Sequence, residues 1–355
     1  MAESPLKDER EFYRAAGPWI ERRAETPGGP VPVVRTKLGL RDVLGQIKVR
    51  FGIGRMNSMV EPGLYAVGHA SPGSPVLVTA NYTLSFDSVR RELAGIDAWI
   101  LVLDTKGINV WCAAGKGTFG TEELVQRTEA VQLSRVVSHR RLVLPQLGAP
   151  GVAAHEVARR THFKVVYGPV RASDLREFLA AGMKATPEMR LVRFDLKDRF
   201  VLTALELTNP SKYLIILTAL LWILGLVGPR LLSWDRWYPY LGAILAGTFF
   251  VPILLPWIPG RAFAWKGWLL GAAWALFVNL QQGSLPSAGG SWAPAMVHFL
   301  LLPAISAFLA MGFTGSSTYT SLSGVLKEMR YAVPAIAISG LGGLGLLAAR
   351  ILGVI

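Results

Sequence analysis

Charged side chains are almost missing from the last part of this 355-residue chain. Residues 213–355 hold seven of its 37 Lys and Arg residues and two of its 24 Asp and Glu residues, and no charged residue occurs from Gly267 to Leu326. Such a run is too apolar for an ordinary soluble domain and is typical of a membrane-embedded segment. We therefore expect the chain to have a polar first part and a membrane-embedded second part.

Gly, Pro and polar clusters divide the apolar part into five predicted transmembrane helices. Most of them reach the roughly 20 residues that a bilayer core requires, and the shortest one, the first, is expected to extend upstream past Lys212. The five predicted spans are 213–228, 238–258, 264–280, 293–313 and 332–353.

The N-terminal stretch lacks the apolar segment of a secretory signal, so we expect residues 1–209 to stay in the cytosol. Loop charges support this orientation, because loops 259–266 and 314–331 carry Lys and Arg. Arg230 and Arg236 lie in a loop that this orientation places outside, so their positive charge does not support it. The sequence predicts a multi-pass protein of the inner (cytoplasmic) membrane, with its N-terminus inside and its C-terminus outside.

Cysteine is nearly absent: Cys112 is the only one, which excludes a disulfide within the chain. It lies in the Gly-rich stretch G-I-N-V-W-C-A-A-G-K-G-T at 107–118. A lone cysteine can be a small buried hydrophobe or a functional thiolate. If residues 109–116 form a helical turn, Lys116 faces Cys112 at i+4 and is expected to lower the thiol pKa.

Several other kinds of site are disfavoured. A-A-G-K-G-T has neither the leading Gly nor the trailing Ser or Thr of a phosphate loop. His139, His155 and His162 do not have zinc-site spacing, whereas His298, inside a predicted span, is a functional candidate of unknown role. The polar part is basic without an aromatic-interleaved stripe, so we expect contact with anionic lipid and no nucleic-acid partner.

From residue 75 onward, apolar strands alternate with amphipathic segments in four β-α units. The strands are predicted at 75–80, 98–105, 141–147 and 163–169, and the helices at 85–94, 121–137, 151–160 and from Ser173. Helices are also expected at 7–23 and 36–48. Because continuous apolar strands with helical crossovers indicate a parallel sheet, ligands are expected at the carboxyl ends of the strands. The segments meeting there are 80–83, the cysteine loop, 146–151 and 167–170.

The segment N-V-W-C-A-A-G-K at 109–116 resembles the signature N-[VI]-W-C-A-[AG]-G-K of the mercury-methylating corrinoid proteins, the HgcA family, and all eight positions match. S-P-V-L-V-T-A-N-Y-T-L-S-F-D at 74–87 is also similar to that family and, more loosely, to the large subunit of the corrinoid iron-sulfur protein of acetyl-CoA synthesis. With the five-span tail, the resemblance covers roughly residues 60–355.

The resemblance implies an α/β fold class: a Rossmann-like parallel-sheet corrinoid-binding domain followed by an all-α membrane domain of five transmembrane helices. The expected divisions are an N-terminal extension at 1–60, the corrinoid domain at 61–205 and the membrane domain at 206–355. The cofactor is expected to be a base-off corrinoid of the cobalamin type, with the Cys112 thiolate on cobalt. None of the five histidines lies in the D-x-H-x-x-G setting that histidine-ligated corrinoid proteins use.

The residues expected to bind the corrinoid lie at the four strand ends and in the signature segment. They are Thr79, Asn81, Tyr82, Thr83, Asn109, Val110, Trp111, Cys112, Ala113, Ala114, Gly115, Lys116, Gly148, Ala149, Pro150, Gly151, Tyr167 and Gly168. Cys112 is the expected catalytic residue and the metal ligand.

The implied reaction is methyl transfer to inorganic Hg(II). Its implied partners are a ferredoxin-like protein with [4Fe-4S] clusters as electron donor and a methyl donor, for which a methyl-folate pathway protein is a candidate. Two alternatives remain open: a membrane-tethered methyl carrier of one-carbon metabolism, and a membrane sensor with a cytosolic small-molecule domain.

Overall fold

The computed structural model describes residues 17–208, 234–285 and 291–354. The chain divides into two compact units, one containing the residues up to Val49 together with Ile53–Val192, and the other running from Arg193 onward with Arg50–Gly52. The boundary at 192/193 differs from the predicted division at 205/206. The two units are described separately below.

The four predicted β-α units are present in the first unit. Their strands are β4 (Val76–Ala80), β5 (Ala98–Leu103), β6 (Arg141–Leu144) and β7 (Lys164–Tyr167). β4 pairs in parallel with both β5 and β6, and β6 pairs in parallel with β7, as predicted. The carboxyl ends of these four strands therefore share one edge of the sheet.

Three further strands extend this sheet: β1 (Ile20–Thr26), β2 (Gly29–Val34) and β3 (Gly63–Val67). The seven strands have the order β1-β2-β3-β5-β4-β6-β7. β3 runs antiparallel to β5, so the sheet is mixed. The predicted helix over 7–23 is wrong from Ile20 onward, because I-E-R-R-A-E-T pairs with β2 as an edge strand; residues 7–16 lie outside the described part. Since β1 and β2 belong to the sheet, residues 17–34 are not an extension separate from the domain.

Among the described residues of this unit, seven α-helices accompany the sheet, and most follow the predicted positions within a few residues. The predicted helix at 121–137 is interrupted at Gln132, whose φ of 48° is left-handed. The helices are α1 (Leu40–Arg50), α2 (Thr83–Glu92), α3 (Val110–Lys116), α4 (Thr121–Ala130), α5 (Leu133–Val136), α6 (Ala154–Thr161) and α7 (Leu175–Ala180).

Both faces of the sheet are covered. On β5, Leu101 and Leu103 pack into one core cluster, which includes Ala113 and Leu124 from the cysteine-loop side. Ile100 and the alternate residues of β5 pack into a second cluster on the opposite face. A central strand with two buried faces explains why its sequence reads as a continuous apolar run.

The second unit is helical in its described part. Residues 196–208 are helical up to the end of the first described range and form α8. The remaining helices are α9 (Trp234–Leu245), a π-helical turn at Ala246–Phe250, α10 (Val251–Leu254), α11 (Phe263–Gln281), α12 (Ala293–Gly312) and α13 (Leu322–Ile351).

Three helices in the described residues are long and apolar enough to cross a membrane: Arg236–Leu254, Ala293–Gly315 and Ser323–Arg350. They correspond to the predicted spans 238–258, 293–313 and 332–353. The predicted span 264–280 does form a helix, α11, but three Trp, one Lys and one Asn reduce its mean hydropathy, and it is not one of the three. The span predicted at 213–228 lies outside the described residues. Five spans are therefore not established.

Candidate site around Cys112

The predicted site segments follow the carboxyl ends of the four parallel strands. Asn81, Tyr82 and Thr83 come directly after β4, and α3 follows the loop after β5. A 3-10 helix at Gln146–Gly151 follows β6, and Gly168 follows β7. The sheet topology therefore places all four segments at one edge, where ligands of parallel sheets bind.

The signature segment forms a short helix with a cap at each end. The Asn109 side chain accepts a hydrogen bond from the Cys112 backbone N–H at 3.0 Å, which is an N-cap. Gly117 ends the helix with a φ of 80°, a left-handed conformation that suits glycine. The predicted helical turn at 109–116 is confirmed, and Cys112 and Lys116 are one turn apart on α3.

One face of α3 is buried and the other is open. Ala113 and Ala114 pack into the core. Cys112 and Lys116 are exposed, and the Trp111 side chain is 43% exposed. The interpretation of Cys112 as a small buried hydrophobe is therefore wrong, because its thiol is offered to the surface.

Gly115 shapes the surface next to the thiol. It lies three residues after Cys112, which places the two residues on neighbouring positions of the helix surface. A Cβ added at Gly115 would meet no heavy atom within 4 Å. The missing side chain thus leaves free space on the exposed surface of α3 near Cys112, where a flat ligand could approach the helix closely.

The Gln146–Gly151 segment packs against the C-terminal end of α3. A Cβ at Gly151 would lie 2.1 Å from the Phe119 carbonyl oxygen and 3.1 Å from the Ala114 Cα. A Cβ at Gly148 would lie 2.5 Å from the buried Phe119 ring. Gly151 therefore allows two backbones to approach closely, Gly148 leaves room for the Phe119 ring, and this packing fixes the position of α3.

Asn81 connects the end of β4 to the loop before α3. Its Oδ1 accepts hydrogen bonds from Thr105 N–H at 3.1 Å, Thr105 Oγ1 at 2.8 Å and Gly107 N–H at 3.0 Å. Its Nδ2 donates to Asp104 Oδ1 at 3.2 Å, and the residue is only 3% exposed. Asn81 was predicted to bind the ligand, but its amide is used within the protein to shape the loop that carries Cys112.

We expect Asn81→Ala to destabilise the chain by about 3 kcal/mol, because each hydrogen bond contributes about 1 kcal/mol and buried partners lose theirs. Asn109→Ala, which removes one capping bond, should cost about 1 kcal/mol. Thermal unfolding of the full chain, followed by tryptophan fluorescence, measures both. Equal effects of the two variants would contradict the role assigned to Asn81.

The remaining predicted residues divide by burial. Thr79, Tyr82, Gly148 and Gly168 are buried and lie beneath the surface. The Tyr167 hydroxyl donates to the Val152 carbonyl at 2.9 Å, and burial raises its pKa. The more accessible residues, half-buried or exposed, are Thr83, Asn109, Val110, Ala149, Pro150 and Gly151. The buried residues can hold the surrounding backbone in place, but they expose little surface that a ligand could contact.

The segment before β3 also contacts the site edge, although none of its residues was predicted to belong to the site. Val60 N–H donates to the Asn81 carbonyl at 2.8 Å, and the Arg55 guanidinium lies over the Tyr82 ring at 5.7 Å. The Met59 side chain lies against Gly107, so that a Cβ there would be 2.8 Å from Met59 Cγ. Met59 is still 47% exposed, which adds apolar surface beside the cysteine loop. In the sequence, the only indication of this apolar contact is the presence of two methionines, Met56 and Met59, in a polar stretch.

Charged side chains stabilise the start of the loop between β5 and α3. The Asp104 backbone N–H donates to Glu123 Oε1 at 2.8 Å, and Glu123 in turn pairs with Arg127. Partial burial opposes the charge of Asp104, but hydrogen bonds and the positive charge from Lys106 outweigh it, so the pKa of Asp104 lies below its ordinary value. Asp104 is therefore an anion at neutral pH.

Two of the histidines considered for a metal site, His139 and His162, precede β6 and β7, so they lie at the edge opposite the carboxyl ends of these strands. His139 Nε2 is bonded to the Ser74 carbonyl at 2.8 Å, and His162 ends α6 with a φ of 63°. Among the described residues, no group of three His, Cys, Asp or Glu side chains is arranged to hold a metal ion. A metal at this edge would have Cys112 as its soft protein ligand.

Part of the first unit is similar to known proteins, among them a corrinoid/iron-sulfur protein. Residues 36–179 match the CdhD family, described as CO dehydrogenase/acetyl-CoA synthase delta subunit. The acetyl-CoA decarbonylase/synthase complex subunit gamma of Methanopyrus kandleri is 39% identical over 122 residues, which are 34% of this chain and 26% of the relative. The equivalent subunit of Archaeoglobus fulgidus is 34% identical over 142 residues, 39% of this chain and 30% of the relative.

The corrinoid/iron-sulfur protein large subunit of Moorella thermoacetica is 32% identical over 126 residues, covering 35% of this chain and 28% of that protein. The chain thus spans between a quarter and a third of the length of these curated relatives. The family match ends at residue 179 and leaves the apolar part of the chain uncovered. Residues 36–179 are therefore similar to subunits of acetyl-CoA synthase complexes and to a corrinoid/iron-sulfur protein.

Proposed function

We propose that the first unit binds a corrinoid and that the chain transfers a methyl group to inorganic Hg(II), forming methylmercury. The Cys112 thiolate would ligate the cobalt of a corrinoid bound in its base-off form. The observation that carries the proposal is the exposed Cys112 on a helix capped at both ends, within N-V-W-C-A-A-G-K, at the carboxyl edge of the sheet. The similarity of residues 36–179 to a corrinoid/iron-sulfur protein supports the cofactor class.

The residues present fit such a group. A thiolate is a soft ligand suited to a transition metal, and its position on the exposed face of α3 leaves the sulfur accessible. The open space beside Gly115 and the exposed Trp111 and Met59 side chains suit a large, flat, partly apolar ligand. When bound, the corrinoid would supply the transferable methyl group on its cobalt.

The choice of a thiolate is chemically suited to mercury. Hg(II) is an electrophile, so it must receive a methyl group with carbanion or radical character. A thiolate ligand pushes electron density onto its metal, as in thiolate-ligated haem. Cys112 would thereby favour release of the methyl group toward an electrophile, while the capped α3 holds the sulfur in place.

The free space at Gly115 gives a specific prediction. Gly115→Leu should abolish corrinoid binding, because its side chain fills the open surface of α3 near Cys112, while folding is retained, since the first added carbon meets no heavy atom within 4 Å. Gly115→Ala, a smaller change at the same position, should retain most binding. Binding is measured by the absorption of corrinoid that co-purifies with each variant. Full corrinoid occupancy in the leucine variant would contradict the proposed approach of the ring.

Repeated turnover requires an electron-donating partner. Release of a methyl carbanion and reloading with a methyl cation differ by two electrons, which must return in each cycle. An iron-sulfur cluster is usually held by four cysteines, and the chain has one, Cys112. We therefore propose a ferredoxin-like partner with [4Fe-4S] clusters and a separate methyl donor.

A membrane location for the second unit is part of the proposal. The three apolar helices and the scarcity of charge support it. With five spans and a cytosolic first unit, a reporter fused after Ile355 should lie outside the inner membrane. Paired fusions of alkaline phosphatase and green fluorescent protein measure this, and a fluorescent, phosphatase-inactive C-terminus would refute the proposed topology.

A second function is favoured by the comparisons: a membrane-tethered methyl carrier of one-carbon metabolism. The relatives are subunits of acetyl-CoA decarbonylase/synthase complexes, and none of those described above has a name that refers to mercury. The two functions are separated by loading the purified chain with methylcorrinoid under anaerobic conditions and adding Hg(II) without a partner. About one methylmercury per chain supports mercury methylation. If the methyl group is not transferred to Hg(II) but is transferred to an acceptor of one-carbon metabolism, the result supports the methyl carrier.

A further inference from the structure

The second unit contains a cavity of about 1050 Å³ between α11, α12 and α13, and no role in methyl transfer involves it. We propose that this cavity binds one anionic phospholipid, with its headgroup at the basic end and an acyl chain along the apolar part. The inference rests on the membrane location proposed above and does not depend on the corrinoid chemistry. The volume is near the upper end of the roughly 300–1,000 Å³ of small-molecule sites.

The basic end of the cavity brings two separate parts of the chain together. Arg261 comes just before α11 and Lys327 is in the second turn of α13, and both side chains are exposed and line the cavity. The Ala264 backbone N–H donates to Glu328 Oε1 at 2.6 Å, which ties the starts of these two helices together. The carboxylate nearest to the two cations is therefore partly used by the backbone, and the cations remain suited to an anionic headgroup.

Aromatic residues lie at the same end. The Trp265 and Trp268 rings stack with their centroids 5.4 Å apart, and both line the cavity with Tyr331. The two indoles are 47% and 44% exposed, and Tyr331 is 68% exposed. Trp and Tyr are enriched at the membrane–water interface, where headgroups lie. The basic end is thus at the depth expected for a headgroup.

Apolar side chains of α12 and α13 line much of the rest of the cavity, and residues 318–321 and Ser339 add polar groups to its lining. Ala304 and Ala307 of α12 face Ala332, Ala335 and Ile336 of α13 across it. Small residues leave room for an acyl chain, and the Ser339 hydroxyl, which also lines the cavity, donates to the Leu300 carbonyl at 2.8 Å and is thus satisfied within the protein. Other large apolar residues of α13 that do not line the cavity are open, with Ile338 73% and Leu341 72% exposed. Such exposed apolar side chains are suited to contact with lipid.

The charge of the lipid follows from the location of the basic end. Loops 259–266 and 314–331 are predicted to be cytosolic, and the structure places them at the same end of the helices. Basic pockets between transmembrane helices on the cytoplasmic side attract anionic headgroups. An anionic phospholipid of the inner leaflet, such as phosphatidylglycerol, has both the charge and the apolar chain that this cavity requires.

The test is native mass spectrometry of the full chain, released from nanodiscs that contain equal amounts of phosphatidylglycerol and phosphatidylcholine. We expect one retained phosphatidylglycerol per chain. Arg261→Gln combined with Lys327→Gln should lower its occupancy about tenfold. Ala335→Phe, which fills the apolar part, should lower it similarly without removing a charge.

Matched controls lie outside the cavity, on α9 and α13. Arg330→Gln combined with Arg236→Gln removes the same charge, and Ala337→Phe adds the same ring; both should retain the lipid. No retained lipid, equal retention of phosphatidylcholine, or equal losses in variants and controls would each overturn the proposal. Carbonate extraction separates the causes: a chain released from membranes refutes the membrane location and the lipid site together, whereas a retained chain without lipid refutes the site alone.

Discussion

Cys112→Ala is expected to abolish methylmercury formation, reducing it to the rate of a mixture without protein. Alanine offers no ligand to a metal, and in the described residues no neighbouring cluster of His, Cys, Asp or Glu can replace the thiolate. Folding should be unaffected, because the Cys112 side chain is exposed and surface substitutions usually change stability by less than about 0.5 kcal/mol. The rate is measured with methylcorrinoid, Hg(II), the electron-donating partner and a reductant.

Two readouts separate the loss of a ligand from damage to the protein. The thermal midpoint of Cys112→Ala should equal that of the native chain. The absorption spectrum of its bound corrinoid should shift, because the axial ligand has changed. Cys112→Ser, a matched control of nearly equal size, should also be inactive, since a hydroxyl is a poor ligand for a soft metal. Methylation by the alanine variant at the native rate would refute the role of Cys112.

Gly151→Val is expected to destabilise the chain by about 3 kcal/mol and to lower activity severely. The first added carbon would lie 2.1 Å from the Phe119 carbonyl oxygen and 3.2 Å from the Ala114 carbonyl oxygen, and backbone atoms cannot rotate away. Overpacking of this kind usually costs about 1–3 kcal/mol, and here the strain falls on the end of α3. The displacement of α3 moves Cys112, so the change should affect methyl transfer even in molecules that remain folded.

Gly115→Ala is the matched control for this prediction, because it adds the first carbon of a side chain to a glycine of α3 itself. No heavy atom lies within 4 Å of that carbon, and alanine in a helix is favoured over glycine by about 1 kcal/mol. The control should therefore be as stable as the native chain or slightly more stable. Thermal midpoints of the full-length variants measure the difference, and equal midpoints for Gly151→Val and Gly115→Ala would contradict the packing described here.

Much of the site could be predicted from local sequence. The four parallel strands are short apolar runs with helical crossovers, and such runs need both faces buried. Asn109 and Gly117 are residues that cap helices, so the limits of α3 are encoded within nine residues. The apolar character of the second unit is likewise a property of composition, since nothing except the scarcity of charge is needed to recognise it.

Tertiary structure decided the features that depend on distant partners. β1 (I-E-R-R-A-E-T) is mostly polar and becomes a strand because β2 is available to pair with it, and the antiparallel pairing of β3 with β5 has no local sequence signal. Asn81 became a structural residue, since its hydrogen-bond partners lie more than 20 residues away. The cavity between α11, α12 and α13 likewise depends on Arg261 and Lys327, 66 positions apart in the sequence, lining the same space. Local propensity is set by neighbours along the chain, whereas these contacts exist only after helices and strands have packed.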